Sequence, residues 1–271
     1  MLPELFHIGP LKVHSWGVLL MLGFLLGTWR AARSAPRYHI KAEDVWDVGL
    51  WGLLGGVLGA RLVYVLLTWS DFRAHPAAIF QIWEGGMTFY GGMGGGILAG
   101  ALVCRARGIR VGDMADLAAL AFPLAYALGR VGCFLNGCCY GGVCDLPWAV
   151  RFHDAAAPGG LTPPSHPAQL YSAVISLAIY FVLARMEPRR RFRGQLMFAY
   201  LFLYGVYRFG IEFLRAGVTS SRSDLAGLTE GQIASLLLAL VGAALYIAGL
   251  RRARQRTDNN AAAPKAAATP S

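Results

Sequence analysis

The chain has 271 residues, 56% of them hydrophobic and only 15% charged, with a formal net charge of +10 and a mean hydropathy of +0.47. So apolar a chain is placed in a membrane rather than in water. The positive charge flanks apolar runs and forms no soluble basic module, so nucleic acid is not an expected partner.

Seven apolar runs approach or exceed the roughly 17–25 residues that a helix needs to cross the hydrocarbon core. None shows the alternation of a barrel strand, so helices are the expected spanning form. The first run, His14–Trp29, lacks the basic leader and small-residue cleavage site of a secretory signal and is expected to remain as a span. The second, Val45–Trp69, carries Arg61 on a glycine-rich stretch. The third, Met87–Cys104, is crowded by glycine: eight of the sixteen residues 85–100. Tight helix packing accounts for Gly94–Gly100. Gly85–Gly92, around Tyr90, equally suits a broken helix that a ligand approaches closely. The fourth, Met114–Leu135, ends in Gly129-Arg130-Val131-Gly132-Cys133-Phe134-Leu135-Asn136-Gly137, an arginine near the end of a span.

A loop rich in proline, 137–167, follows, with Trp148–Phe152 expected as a short strand. His166, Gln169 and Tyr171 open the fifth and weakest run, Ala168–Leu183. The sixth, Leu196–Leu214, carries Tyr204, Arg208 and Glu212, and the seventh is Ile233–Leu250. Residues 257–271 read as a disordered tail. The expected fold is therefore an all-α polytopic bundle of about seven transmembrane helices, one domain over 1–256, with a small loop domain on one face.

Basic residues set the orientation. Seventeen follow spans one, three, five and seven (30–41, 105–110, 185–193 and 251–265), against five on the other side: Lys12, Arg73, Arg151, Arg215 and Arg222. The positive-inside rule then puts the N-terminus outside and the C-terminus in the cytoplasm. In that topology Arg61, Tyr90, Arg130, His166, Gln169, Arg208, Glu212 and Gln232 all fall toward the outer interface. An arginine within a span costs about 2.5–3.5 kcal/mol even on an insertion scale, so such residues mark a site or a structural pair. A polar cavity open to the outer leaflet accounts for the shared level. Tyr204, Arg208 and Glu212 stand at i, i+4 and i+8 on one helix face, where Arg208 and Glu212 can pair. Arg61 leans toward structure, because an arginine there can tie to neighbouring carbonyls.

Cys133, Cys138, Cys139 and Cys144 cluster after the fourth span, while Cys104 reads as a packing residue. A disulfide such as Cys138 with Cys144 is one possibility. The spacing lacks paired C-x-x-C units and has a single nearby histidine, His153, so no metal is expected. Two functions that need no kinship remain in view at this level, a small-molecule transporter and a membrane thiol oxidoreductase.

Several patches together resemble the prolipoprotein diacylglyceryl transferase family. They are the Gly129–Gly137 stretch, His166-Pro167-Ala168-Gln169-Leu170-Tyr171, Tyr204-Gly205-Val206-Tyr207-Arg208 and Glu212-Phe213-Leu214-Arg215, supported by Gly55–Arg61 and Gly85–Gly92. The resemblance implies a multi-pass enzyme of the bacterial cytoplasmic membrane. Its substrates would be phosphatidylglycerol and the lipobox cysteine of a preprolipoprotein signal peptide, and no cofactor is implied. It implies that Arg130 binds the lipid phosphate, that Arg208 is a second essential arginine oriented by Glu212, and that Asn136 contacts the headgroup. Arg61, Gln169 and Tyr204 are expected around the lipid. Some relatives carry histidine where this chain has Tyr90, which leaves Tyr90, His166 or a lipid phosphate oxygen to take the thiol proton.

Overall fold

The computed structural model describes residues 2, 4–8, 11–74, 76–81, 83, 85–154, 158–215 and 227–262. Arg222, Lys265 and the last part of the expected tail, 263–271, lie outside the described residues. The chain opens with an antiparallel hairpin, β1 (Glu4–Ile8) and β2 (Leu11–His14). Strands of four and five residues give too little alternation to be seen in the sequence. Among the described residues eight α-helices follow: α1 (Ser15–Ser34), α2 (Ala42–Leu67), the short α3 (Trp69–Ala74), α4 (Phe89–Ala106), α5 (Val111–Asn136), α6 (Ala168–Met186), α7 (Gln195–Arg215) and α8 (Glu230–Ala262).

Each expected span is thus a helix. Six helices are long and apolar enough to cross a bilayer, those beginning at Ser15, Ala42, Val111, Ala168, Gln195 and Glu230. Helix α4 is not among them, for six of its 18 residues are glycine, which adds no apolar side chain. Along α2, Leu50, Leu54, Leu58, Leu62 and Leu66 recur every four residues and are all exposed, Leu58 by 70%. Such a stripe is tolerable only against lipid. The protein is a multi-pass membrane protein.

The contacts divide the chain into two compact units, Thr28–Leu117 and Met1–Gly27 with Ala118–Ser271, the divisions falling within α1 and α5. In the smaller unit α2 and α4 meet backbone to backbone. A Cβ at Gly59 would come within 2.5 Å of Gly91 O, and one at Gly55 within 2.8 Å of Gly95 O. Gly91 therefore belongs to the packing seam, not to a broken entrance: α4 is continuous from Phe89. Only Gly85 and Gly86, at φ 89° and 73°, make the irregular turn before it. Arg107, just after α4, ties back to Asp44 and Asp47 of α2 at 2.5 Å each, and the Asp44 hydrogen bond chiefly raises its pKa.

In the larger unit α5, α6, α7 and α8 surround a core that includes Leu120, Leu183, Leu196, Tyr207 and Ile211. Ser176 of α6 donates to Pro123 O of α5 at 3.0 Å. Helices α7 and α8 approach through Gly205, whose Cβ would lie 2.7 Å from Ser235 O, and Gly242, whose Cβ would lie 2.6 Å from Phe202 N. Helix α8 runs on to Ala262, carried past the helix-favouring Arg251–Arg256 into the less favourable Thr257–Asn260, so 257–262 are helical. The loop 137–167 folds around Phe152, which is fully buried and stacked on Tyr140 at 4.9 Å. The expected strand Trp148–Phe152 does not form. Isolated bridges join Val143 and Val150 to Ser165, and His153 to Leu161, because five prolines interrupt any longer ladder.

Candidate active site

Arg208 and Glu212, one turn apart on α7, form an ion pair through Arg208 Nη1 and Glu212 Oε2. Glu212 is 1% exposed, so it needs more than one partner to offset its lost hydration. Thr229 supplies the second, its Oγ1 donating to Glu212 Oε1 at 3.2 Å. Thr229 also caps α8: Gln232 N donates to Thr229 Oγ1 at 3.1 Å and Thr229 N to Gln232 Oε1 at 2.9 Å. This reciprocal capping box fixes the start of α8, whose positive end then faces a carboxylate. A Cβ at Gly231 would come within 3.0 Å of Glu212 Oε1 and 3.3 Å of Arg208 Nη2, so a larger residue there would press on the pair. The pair thus orients Arg208 and leaves its remaining N–H groups without a hydrogen-bond partner among the described residues.

Arg130, on α5, is held differently. Its guanidinium carbon lies 4.6 Å from the ring centroid of Tyr126, one turn earlier. Tyr126 stands edge-on to Tyr204 at 5.7 Å and shares a 3.3 Å hydroxyl contact with Tyr207. Tyr204 is within electrostatic reach of both Arg130 and Arg208. Among the described residues no carbonyl or carboxylate pairs with Arg130. A half-buried arginine resting on an aromatic face keeps a planar fork of donors for an incoming anion.

At the same end of this unit, Gln169 is fully buried. Its Nε2 donates to Cys138 O at 2.7 Å, while Oε1 has no hydrogen-bond partner among the described residues. It holds the loop after α5 to the first turn of α6. His166 Nδ1 lies 3.5 Å from Tyr171 Oη, which accepts from Trp148 Nε1 at 2.7 Å. Asn136, the last residue of α5, is exposed. All five cysteines are free, so Cys138 and Cys144 are not bonded. The Sγ atoms of Cys133, Cys138 and Cys139 instead lie within 4.8 Å of one another. The Cys139 thiol is pushed down by hydrogen bonds from Cys133 and Cys138, with Arg215 and Arg130 adding to the effect.

Arg61 and Tyr90 belong to the smaller unit. Arg61 is 9% exposed and donates to Ile79 O at 2.8 Å, Gly85 O at 2.7 Å, Gly86 O at 3.1 Å and Ala78 O at 2.5 Å. Four of its five N–H groups are spent on backbone. This matches the structural lean for Arg61, an arginine tied to neighbouring carbonyls: it clips Ala78, Ile79, Gly85 and Gly86 to α2. Tyr90, in the first turn of α4, is 70% exposed and stands edge-on to Phe89 at 5.7 Å. A cavity of about 470 Å³ lies at the other end of the larger unit, lined by Arg185, Arg189, Arg191, Gln195 and Tyr246 among others. It includes neither Arg130 nor Arg208.

A family model described as prolipoprotein diacylglyceryl transferase matches residues 3–248. The chain belongs to the prolipoprotein diacylglyceryl transferase family. Curated relatives bearing the name phosphatidylglycerol–prolipoprotein diacylglyceryl transferase agree with this. The chain is 37% identical to the one from Geobacter sulfurreducens over 255 residues, covering 92% of this chain and 96% of the relative. It is 37% identical to that of Methylococcus capsulatus over 262 residues, with 92% and 96% covered. It is 34% identical to that of Ralstonia pickettii over 290 residues, with 96% and 97% covered.

For a member of this family, sequence reasoning singled out the arginines but missed what holds them. Tyr126 and Tyr207 were passed over, though Tyr126 stands one turn before Arg130 and Tyr207 lies beside Arg208. Thr229 with Gln232 also went unread, although a threonine followed three residues later by glutamine is a capping-box signal.

Proposed function

We propose that this protein moves the diacylglyceryl group of phosphatidylglycerol to the lipobox cysteine thiol of a preprolipoprotein in the bacterial cytoplasmic membrane. In this reading the N-terminus is outside and the C-terminus cytoplasmic, so the larger unit's arginine-bearing end faces the outer leaflet. Its main support is the pair of half-open guanidinia, Arg130 and Arg208, gathered around Tyr204 in a chain with near-full-length kinship to this family.

The chemistry follows from what the residues offer. The substrate sulfur attacks the glyceryl methylene carbon next to the phosphate, a C–S bond forms and the C–O bond breaks. The electron pair of the broken bond leaves on glycerol 1-phosphate, which also carries off the thiol proton. Arg130 holds the phosphate oxygens through its planar fork. Arg208, kept in place by Glu212 and the α8 cap, neutralises charge that grows on the leaving phosphate. Asn136 and Tyr204 border the headgroup. The thiol proton passes to His166, to Tyr90 or directly to a phosphate oxygen of the lipid.

The test is to incubate purified protein with phosphatidylglycerol and a lipobox peptide, and follow the peptide by mass spectrometry. A diacylglyceryl mass increment on the cysteine is expected. A folded, lipid-loaded protein that leaves the peptide unmodified would refute the assignment.

A further inference from the structure

The three convergent thiols have no part in the transfer reaction, since the nucleophilic sulfur belongs to the substrate. Cys133 sits in the last turns of α5, and Cys138 and Cys139 follow its end. Two residues in the left-handed region, Gly137 at φ 77° and Cys139 at φ 64°, turn the chain back at this point. A positive φ at a non-glycine residue costs on the order of 1–3 kcal/mol and persists only where something holds it. The turn is tied down by Cys138 N donating to Cys133 O at 3.1 Å and by Gln169. All three Sγ atoms come within 4.8 Å of one another. Three thiolates around a four-coordinate zinc, with Zn–S of about 2.3 Å, stand ~3.8 Å apart, so the trio needs only a small inward shift.

A second, independent feature is a buried positive charge beside the trio. Arg215, the last residue of α7, is 9% exposed, and its Nε has no hydrogen-bond partner among the described residues. The loop is bonded to this end of α7, Gly142 N donating to Leu214 O at 2.7 Å, and Arg215 acts electrostatically on Cys139. A buried cation costs several kcal/mol unless an anion answers it, on the order of the penalty for breaking a buried pair. A trio that has given up its protons to a divalent cation carries a net charge of −1 and answers it.

We propose that Cys133, Cys138 and Cys139 bind one thiophilic closed-shell cation of the zinc or copper(I) class. Each thiol gives up one proton on binding, so a divalent ion and three thiols yield a singly negative tris-thiolate centre and three protons. A fourth position stays open, because among the described residues no other histidine, cysteine or carboxylate joins the set. Soft sulfur donors select such cations over magnesium or calcium. The site is structural: it closes the turn after α5, and its first ligand, Cys133, lies three residues beyond Arg130. This inference stands apart from the proposed transferase activity, and its readout does not depend on it.

The experiment uses the full-length protein in detergent, reduced and stripped of metal, titrated with cadmium as a spectroscopic stand-in and then with zinc and copper(I) against a chelator. Saturation at one cadmium per chain is expected, with an ultraviolet sulfur-to-metal charge-transfer band and about three protons released per ion. The band should survive Cys144→Ser and Cys104→Ser. Each single change among Cys133→Ser, Cys138→Ser and Cys139→Ser should weaken it, and the triple change should remove it. The competition with zinc and copper(I) tells which ion the site prefers. Absence of a saturable band in the intact chain overturns the proposal, whatever the variants do. So does a disulfide within the trio in freshly isolated protein, seen as a loss of two hydrogens by mass.

Discussion

Arg61 and Arg130 are both arginines on apolar helices, and they are held in opposite ways. Arg61 spends four donors on the carbonyls of Ala78, Ile79, Gly85 and Gly86. Arg130 rests on the ring of Tyr126 and meets no carbonyl or carboxylate among the described residues. The first arrangement satisfies the cation internally and makes it part of the scaffold. The second leaves the fork open for an anion, which in the proposed function is the phosphate of a phospholipid. Arg208 stands between the two, tied to one carboxylate oxygen yet with donors to spare. For an arginine within a membrane, then, the count of donors already used separates architecture from a site.

If that distinction holds, the largest effect comes from blunting the open forks. Arg130→Lys and Arg208→Lys each keep the charge but lose bidentate geometry. Each should lower the transfer rate by about 10²–10³-fold, the usual loss of a preorganised charge-stabilising group, with folding unchanged. Steady-state transfer to a lipobox peptide measures it, and near-normal rates in both would erase the contrast.

Next in size is Glu212→Gln, which strips the buried partner from Arg208. Removing one member of a buried pair destabilises by about 3–5 kcal/mol. Denaturant or thermal unfolding in detergent should show much of that loss, together with slower transfer. A variant as stable as the parent would mean that Thr229 and the α8 end, not the charge, hold Arg208.

Arg61→Gln sharpens the comparison from the other side. It leaves several carbonyls of the 78–86 turn without donors, at about 1–3 kcal/mol for a buried unsatisfied group. Stability should fall, while the rate per folded molecule falls far less than in Arg130→Lys. An Arg61→Gln protein that is fully stable yet inactive would move Arg61 from the scaffold to the site.

The smallest effect is that of Thr229→Ala. Losing the N-cap of α8 and one hydrogen bond to Glu212 should cost about 1 kcal/mol in unfolding experiments. Thr229→Ser should recover most of it, because the hydroxyl is what both bonds use.

How much of this was legible in the sequence varies with the range of the interaction. The helices were visible because bilayer-spanning runs are local and long, and Arg208 with Glu212 because i and i+4 share a face. Tyr126 beneath Arg130 and the Thr229 to Gln232 box are equally local and could have been read. That Arg61 ties to carbonyls was also legible, but not which ones, since nothing in the sequence says that Ala78, Ile79, Gly85 and Gly86 lie against α2. The same holds for the thiol trio. Spacing alone argued against a metal, and only the left-handed Gly137 and Cys139 bring the three sulfurs together. The hairpin at the start was too short to leave a pattern. The glycines at 91 and 92 were open to two readings until α2 was found lying against them.

The central claim is that Arg130 is free to hold a lipid phosphate and Arg61 is not. Phosphatidylglycerol retention by the purified parent, Arg130→Gln and Arg61→Gln proteins, compared by native mass spectrometry at matched folded fractions, tests it most directly. The account predicts bound lipid on the parent and on Arg61→Gln, and its loss from Arg130→Gln. Retention on Arg130→Gln equal to the parent, or loss confined to Arg61→Gln, would contradict it.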